Sequence, residues 1–315
     1  MRIITCLAAI LYLLYPTIGW TQGCSDAGFC TMGALKPDQK FRKRQNIKVR
    51  SIEISHYYGT NRFGDQIFSY TLDANISFSD YTYFQVKLPY TRVNGTITDT
   101  HGFGDVSLSL TQNLYQREAF QINATIGAKI PIGRPNLQWR GRDLPMYYQT
   151  TLGTYDAVVG ISLISRKWLV AVGYQQALTE TDNHFLREEW EGTRWFETAV
   201  EYPPSSGNLL RGKDLMYRIE RNIRFSKFNI NLGILHVHRL TKDKVDHPSG
   251  NTTSERGELE MTNGAAITGL VGIGYHFSPK TSIKIMNGWR LKKRHYNPDG
   301  LSRDFVNTVA LQIKF

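Results

Sequence analysis

The feature that most constrains this chain is a period of two, held for about ten residues at a time and repeated along most of its length. In FSYTLDANISF, Phe68, Tyr70, Leu72, Ala74, Ile76 and Phe78 alternate with Ser69, Thr71, Asp73, Asn75 and Ser77. A helix would scatter that apolar set around its circumference, whereas a strand collects it on one face. FQINATIGAKI repeats the device, with Phe120, Ile122, Ala124, Ile126, Ala128 and Ile130 against Gln121, Asn123, Thr125, Gly127 and Lys129. The same criterion places about twelve strands, near residues 48–58, 67–78, 81–91, 105–115, 119–131, 152–164, 168–178, 214–225, 227–239, 265–277, 281–292 and 303–315. Each is close to the ~9 to 11 residues with which a tilted strand crosses a bilayer.

The links between strands discriminate further. Counted from a periplasmic start, odd-numbered links are long and even-numbered ones are short: SD, QRE, SRK, a lone Ser226, SPK. That alternation marks a membrane barrel with short periplasmic turns and long outer loops, whereas a soluble sandwich has no reason to sort its loops. Aromatic residues separate in the same way. Phe78, Phe120, Trp168, Phe225, Phe228, Phe277 and Phe315 stand beside short links or the C-terminus, and Tyr58, Tyr90, Tyr155, Tyr174, Tyr217 and Trp289 stand toward long loops, as two interfacial girdles. The predicted fold is all-β, an antiparallel transmembrane barrel. Its final DFVNTVALQIKF looks like the closing strand of a gram-negative outer-membrane barrel, whose terminal aromatic residue, here Phe315, is read by the barrel-assembly machinery. A mean hydropathy of −0.35 fits, because every second residue faces a wet lumen.

The first residues stand apart. Arg2 followed by ITCLAAILYLLYPTIGW is a basic n-region and an apolar h-region too short to span comfortably, which predicts a cleaved signal over 1–23. Residues 24–45 then form a periplasmic Cys-bearing segment and 46–315 the barrel. No later stretch supplies the ~20 consecutive apolar residues of a membrane helix. Loss of Arg2 lowers the formal charge from +11 to +10, which suits an anionic lipid or periplasmic surface and equally an ordinary solvated face. Cys6 leaves with the signal. Cys24 and Cys30, in CSDAGFC, read most simply as one local disulfide in an exported chain; lipidation of Cys24 competes, favoured by Gly23 and opposed by Thr21. Two thiolates with no nearby His make half a tetrahedral metal shell. The basic run Lys36, Lys40, Arg42, Lys43 and Arg44 either seeks lumen acids or an acidic periplasmic partner, or stays a solvated tail.

With the apolar face toward lipid, the opposite face lines the lumen. It supplies Glu53, Asp73, Asn75, Lys87, Asp105, Asn123, Lys129, Asp156, Arg218, Glu220, Arg224, Lys284, Arg290 and Lys314. Most acids fall on early strands and Arg218, Arg224, Lys284, Arg290 and Lys314 on late ones, an arrangement that either sets a transverse field across the pore or satisfies charges locally. Seven bases against five acids is too even for anion selection. Asn287 and Asn307 fall opposite each other on the outward face, where they pair mutually or form a seam with a second barrel or partner protein. Arg221 is a similar outward misfit. His236 and His238, in HVH, suit an interfacial pair better than a metal pair. No Ser, His and polar orienter fall at matching heights, so the expectation is no catalytic residue, no metal and no cofactor, with outer-membrane lipid and small solutes as partners and no nucleic acid. The loop 179–213, with Trp190, Trp195, Phe196 and Tyr202, either folds into the pore, binds a ligand outside, or packs on itself.

Three stretches, GFGDVSLSL (Gly102 to Leu110), IGAKIPIGRP (Ile126 to Pro135) and LPMYYQTTLGTYDAVVGIS (Leu144 to Ser162), resemble the outer-membrane barrel family linked to transport in the meta-pathway of phenol degradation. The resemblance covers about a fifth of the chain. It implies a channel for small solutes, hydrophobic or aromatic ones among them. The Cys-bearing start and the long fourth outer loop depart from that pattern. The alternative is a plugged barrel that anchors or assembles an outer-membrane complex.

Overall fold

The computed structural model describes residues 47–203, 208–246 and 256–315, so the predicted signal, Cys24, Cys30 and the basic run after them lie outside the described residues. In chain order the strands are β1 (Lys48–Thr60), β2 (Gln66–Ser77), β3 (Thr82–Asn94), the short β4 (Asp99–Phe103), β5 (Asp105–Gln116) and β6 (Phe120–Pro131). The two-residue strands β7 (Gln138–Trp139) and β8 (Arg142–Asp143) precede β9 (Asp156–Ser165), β10 (Trp168–Ala177), β11 (Asp214–Phe225) and β12 (Phe228–Arg239). After the short pair β13 (Lys244–Val245) and β14 (Gly257–Glu258) come β15 (Gly264–His276), β16 (Thr281–Lys292) and β17 (Phe305–Lys314).

Twelve long strands form a closed antiparallel up-and-down barrel: each pairs with its neighbour in the chain, and β1 pairs with β17 to close the circle. Closure leaves no edge, so every strand keeps both ladders in a solvent that offers no hydrogen bonds. At the seam Ile52 faces Ile313 and Ile54 faces Leu311, and the Phe315 N–H donates to the Arg50 carbonyl at 3.0 Å. No helix among the described residues is long and apolar enough to cross a membrane; strands make the crossing.

The alternation sorts residues as the period requires. Ile54, Ile126, Ile219, Ile234 and Ile273 are all more than half exposed on the outer face, a belt that only lipid can cover favourably. Exposed Phe78, Trp168, Phe225, Phe228, Phe277 and Phe315 ring the short-turn end, and exposed Tyr90, Tyr155, Tyr217 and Trp289 ring the other. Arg221 does face outward, with its guanidinium 4.8 Å above the Trp168 ring, so the girdle tryptophan accommodates the charge at the interface.

Two strand boundaries differ from the periodicity. The expected strand at 152–164 starts only at Asp156, because Gly153 adopts φ 70° and packs on Pro135. The second outer link, expected as loop, contains β4, which pairs with the upper half of β3. Pro89 in β3 lacks an N–H, and Gly104 fills the break by donating to the Pro89 carbonyl at 2.9 Å before β5 begins.

Candidate functional site: the lumen and its outer roof

On the lumen face, registry aligns one row of charged residues across neighbouring strands. Glu53 stands opposite Asp73, Asp73 opposite Lys87, Lys87 opposite Ser107, Ser107 opposite Lys129 and Lys129 opposite Asp156. The row spans β1 to β9. Its charges are paired where they stand: Lys87 lies 3.7 Å from Asp73, and Lys129 lies 3.5 Å from Asp105. Gln85 Nε2 donates to both Asp73 carboxylate oxygens, at 3.0 and 2.8 Å, and Asn75 Nδ2 donates at 3.2 Å. Asp156 is the strongest node, holding the Arg211 guanidinium, the Gln175 amide and the Thr154 hydroxyl, the last at 2.7 Å.

The opposite wall follows the same ladder with different chemistry. From Glu220 the row runs through Gly233, Leu270, Gly288 and Val306. Val158, Leu169, Ala171, Met216, Leu235 and Leu270 form one inward apolar cluster on β9 to β15. A Cβ at Gly233 would lie 2.5 Å from Glu220 Cγ, so glycine there makes room for the carboxylate, which takes Arg218 Nε–H at 2.6 Å. Between the walls lies a chamber of about 220 Å³. Glu53, Lys87, Asp105 and Lys129 line one side, and Glu220, Leu270, Lys284 and Met286 the other.

Outer loops roof the chamber. Residues 149–152, after the 3-10 turn Met146–Tyr148, and residues 299–301 line it from above. Tyr148 and Tyr202 meet Asp65 under the roof: the Tyr202 hydroxyl donates to Asp65 at 2.9 Å, and the two phenol oxygens are 3.0 Å apart. Burial first, and then the Asp65 charge, pushes both hydroxyls far above the usual phenol range. Tyr147 donates to the Asn297 carbonyl at 3.0 Å, and Gly300, at φ 70°, brings its backbone so near Met146 that a Cβ would stand 2.6 Å from the Met146 carbonyl oxygen. Only glycine fits there.

Beside this lock, Arg239 gathers three carboxylates from separate elements: Asp214 at 2.8 Å, Asp243 at 2.9 Å and Asp299 at 3.0 Å. Burial alone would raise Asp299, but Arg239, Arg294 and Arg211 together hold it below the usual carboxylate range. Asp243 goes the other way, raised by burial more than Arg239 lowers it.

Thus the structure brings Glu53, Asp73, Lys87, Lys129 and Asp156 into one row, with Asp105 beside it and Asn75 and Asn123 buried on the same face. The late charges do not form an opposing basic side. Arg218 folds onto Glu220, and Arg290 reaches up to Asp304 and Ser302. Arg224 is exposed at the periplasmic end, and Lys314 sits half-buried beside the closing strand's end. Asn287 and Asn307 are register partners, with a 2.7 Å hydrogen bond from Asn307 Nδ2 to Asn287 Oδ1. His236 stacks on Tyr217 at 5.7 Å, and its ring lies 5.9 Å from His238 on the outer surface. Among the described residues no group of His, Cys, Asp and Glu is arranged to hold a metal ion.

The described residues of the loop 179–213 do not line the chamber, and they do not pack only on one another. Phe185, Trp190 and Tyr202 are buried against Phe63, Leu144, Tyr147 and Tyr148 from other loops. The period of two carries no information in loops and says nothing of reach at a strand end, so Asp65, Tyr148, Arg239, Asp243 and Asp299 escaped the sequence reading, while Tyr202 entered it only as one aromatic of the loop 179–213. The visible signals of a packed roof were the dense aromatics of QWRGRDLPMYY and those of the loop 179–213.

No family model matches the chain, and no curated protein matches it. Among solved structures it is similar to an outer membrane channel from Pseudomonas putida F1, at 14% identity over 88% of this chain and 100% of that one, with a TM-score of 0.55. It is more distantly similar to the NanC porin, at 9% identity over 84% of this chain and 98% of that one, TM-score 0.45. The translocator domain of autotransporter NalP from Neisseria meningitidis aligns at 9% identity over 85% of this chain and 87% of that one, TM-score 0.41. At these identities the likeness is one of fold. With the lipid-facing belt and edge-free closure, the fold shared with the Pseudomonas putida F1 channel makes the chain a gram-negative outer-membrane β-barrel.

Proposed function

We propose that the protein is a passive, non-enzymatic outer-membrane channel for small solutes. The observation that carries this reading is the chamber inside the barrel, lined by carboxylate, lysine and hydroxyl side chains on one wall and on the other by glycine and apolar side chains together with Glu220 and Lys284. A barrel that served only as an anchor would gain more from a lumen filled throughout. The channel seen in the Pseudomonas putida F1 structure supports the same assignment by fold. Leu270 and Met286 in the chamber wall support the finer expectation, from the resemblance to the phenol-degradation transport family, that solutes with an apolar body pass.

Single-channel recording in planar bilayers tests the reading. Discrete conductance steps are expected; a folded barrel that stays electrically silent removes the channel and favours the anchor, for which the aromatic roof over the outer mouth is the supporting observation. A liposome-swelling panel of neutral, aromatic and charged solutes then defines what passes. Assembly is a further part of this proposal: Phe315, two-thirds exposed at the periplasmic end, is the residue we assign to recognition by the assembly machinery, and its removal should lower the amount of folded barrel in the outer membrane.

A further inference from the structure

We infer that the chamber is a binding site for a small zwitterion, a solute with an ammonium and a carboxylate on one compact, partly apolar body. This deepens the channel reading and rests on it for its purpose, while the site itself rests on the lumen geometry. Lys129 is 2% exposed and lines the chamber, and its Nζ makes no hydrogen bond; the Asp105 carboxylate oxygen beside it is 3.5 Å away. On the other wall Glu220 is also 2% exposed; Arg218 occupies Oε1, and Oε2 has no hydrogen bond. An ammonium has three donors, a carboxylate has about four acceptor sites, and charged groups left short of partners away from bulk water are costly. One zwitterion relieves both: its carboxylate accepts from Lys129 and its ammonium donates to Glu220.

The balance of charge argues for a dipolar guest over a simple ion. Four carboxylates and four bases line the chamber, so neither a net anion nor a net cation gains from the whole field. Size and polarity set the rest. A volume of about 220 Å³ is smaller than the pockets of ~300 Å³ and upward that hold drug-sized ligands, and Leu152, Leu270 and Met286 offer an apolar surface to the body of the guest. The class that fits is a molecule of amino-acid size.

Three matched probes test this: leucine, 4-methylpentanoate, which is leucine without its ammonium, and isopentylamine, which is leucine without its carboxylate. Binding to the purified full-length barrel in detergent is measured by calorimetry at neutral pH. Leucine is expected to bind about tenfold or more tightly than either fragment, since each charge-assisted hydrogen bond contributes on that scale. Lys129→Met should erase the advantage of leucine over isopentylamine, and Glu220→Gln its advantage over 4-methylpentanoate, in variants whose heat-modifiable gel mobility shows a folded barrel. Equal binding of the three probes to the unaltered protein, or no binding, overturns the inference whatever the variants do. Conductance is recorded separately. A conducting barrel with no preference for leucine overturns the zwitterion site and keeps the channel; a silent barrel that prefers leucine keeps the site and removes the channel.

Discussion

From β1 to β9 the lumen face presents Glu53, Asp73, Lys87, Lys129 and Asp156 in one cross-strand row, while from β12 to β17 the row beginning at Glu220 presents Gly233, Leu270, Gly288 and Val306. Both walls use one backbone geometry. On the first, long side chains reach across the ladder and tie to each other, so the wall is thick and braced. On the second, Gly272 and Gly274 line the chamber without adding a side chain to it, while the space at Gly233 and Gly288 is taken by Glu220, Val306 and Leu270. The difference teaches that in a small barrel bracing and capacity compete for one interior, and this chain assigns them to opposite sides.

The largest expected effect comes from breaking the braced side. Asp156→Ala leaves the wholly buried Arg211 guanidinium without its carboxylate, a change that typically costs about 3 to 5 kcal/mol. The urea midpoint of the refolded barrel should fall accordingly. An unchanged midpoint would mean that the row is not what braces the wall. Next in size is a change to capacity alone. A Cβ at Gly274 would find Asn229 Cβ at an ordinary 3.7 Å, so the backbone tolerates a larger residue whose side chain projects into the chamber. Gly274→Leu should remove most of the single-channel conductance and leave the urea midpoint within about 1 kcal/mol of the original, in line with other unstrained substitutions. If conductance persists, solutes take a route other than this chamber.

A third test separates the roof from both walls. Replacing Tyr148 and Tyr202 with Phe removes the hydroxyls that meet Asp65, at about 1 to 3 kcal/mol for the buried acceptor left behind. The pH dependence carries the diagnostic sign. Both hydroxyls are raised above the ordinary phenol value of about 10, so below that value folded and unfolded chains hold the same protons and stability is unaffected. Above it the unfolded chain ionises first, and stability falls as pH rises. That alkaline loss should be present in the original protein and much reduced in the double Phe variant, read from urea midpoints across the alkaline range.

How much of this was legible in the sequence depends on where a residue sits. Alternation alone placed Asp73, Lys87, Lys129 and Asp156 on one face, because a strand leaves a side chain only two directions. It says nothing of height or reach. Arg224 shares the lumen parity of Arg218 yet ends exposed at the short-turn end of β11, and Arg290 leaves its own strand level for Asp304. The outer clasp was invisible for another reason: Arg239, Asp243 and Asp299 come from a strand end and two loops, and only tertiary packing brings them together.

The smallest expected effect lies on the outer wall, where neither lumen chemistry applies. Asn287 and Asn307 face the apolar belt between Trp289 and Ile285 on one strand and Phe305 and Val309 on the other, and each amide finds the other at 2.7 Å. Interhelical polar contacts in membrane proteins contribute only about 0.6 kcal/mol on average, and this cross-strand pair belongs to that range. Asn287→Leu alone strands one amide against lipid and should destabilise the barrel, as should Asn307→Leu alone. The double Leu variant removes both amides and should recover most of the loss, because a matched apolar pair leaves nothing unsatisfied. Urea midpoints of the four proteins give the coupling. Native gels of the same four decide whether the pair also serves as a seam: mutual pairing predicts one complex size throughout, whereas a seam with a second barrel or partner requires the double variant to fold and yet lose the larger species.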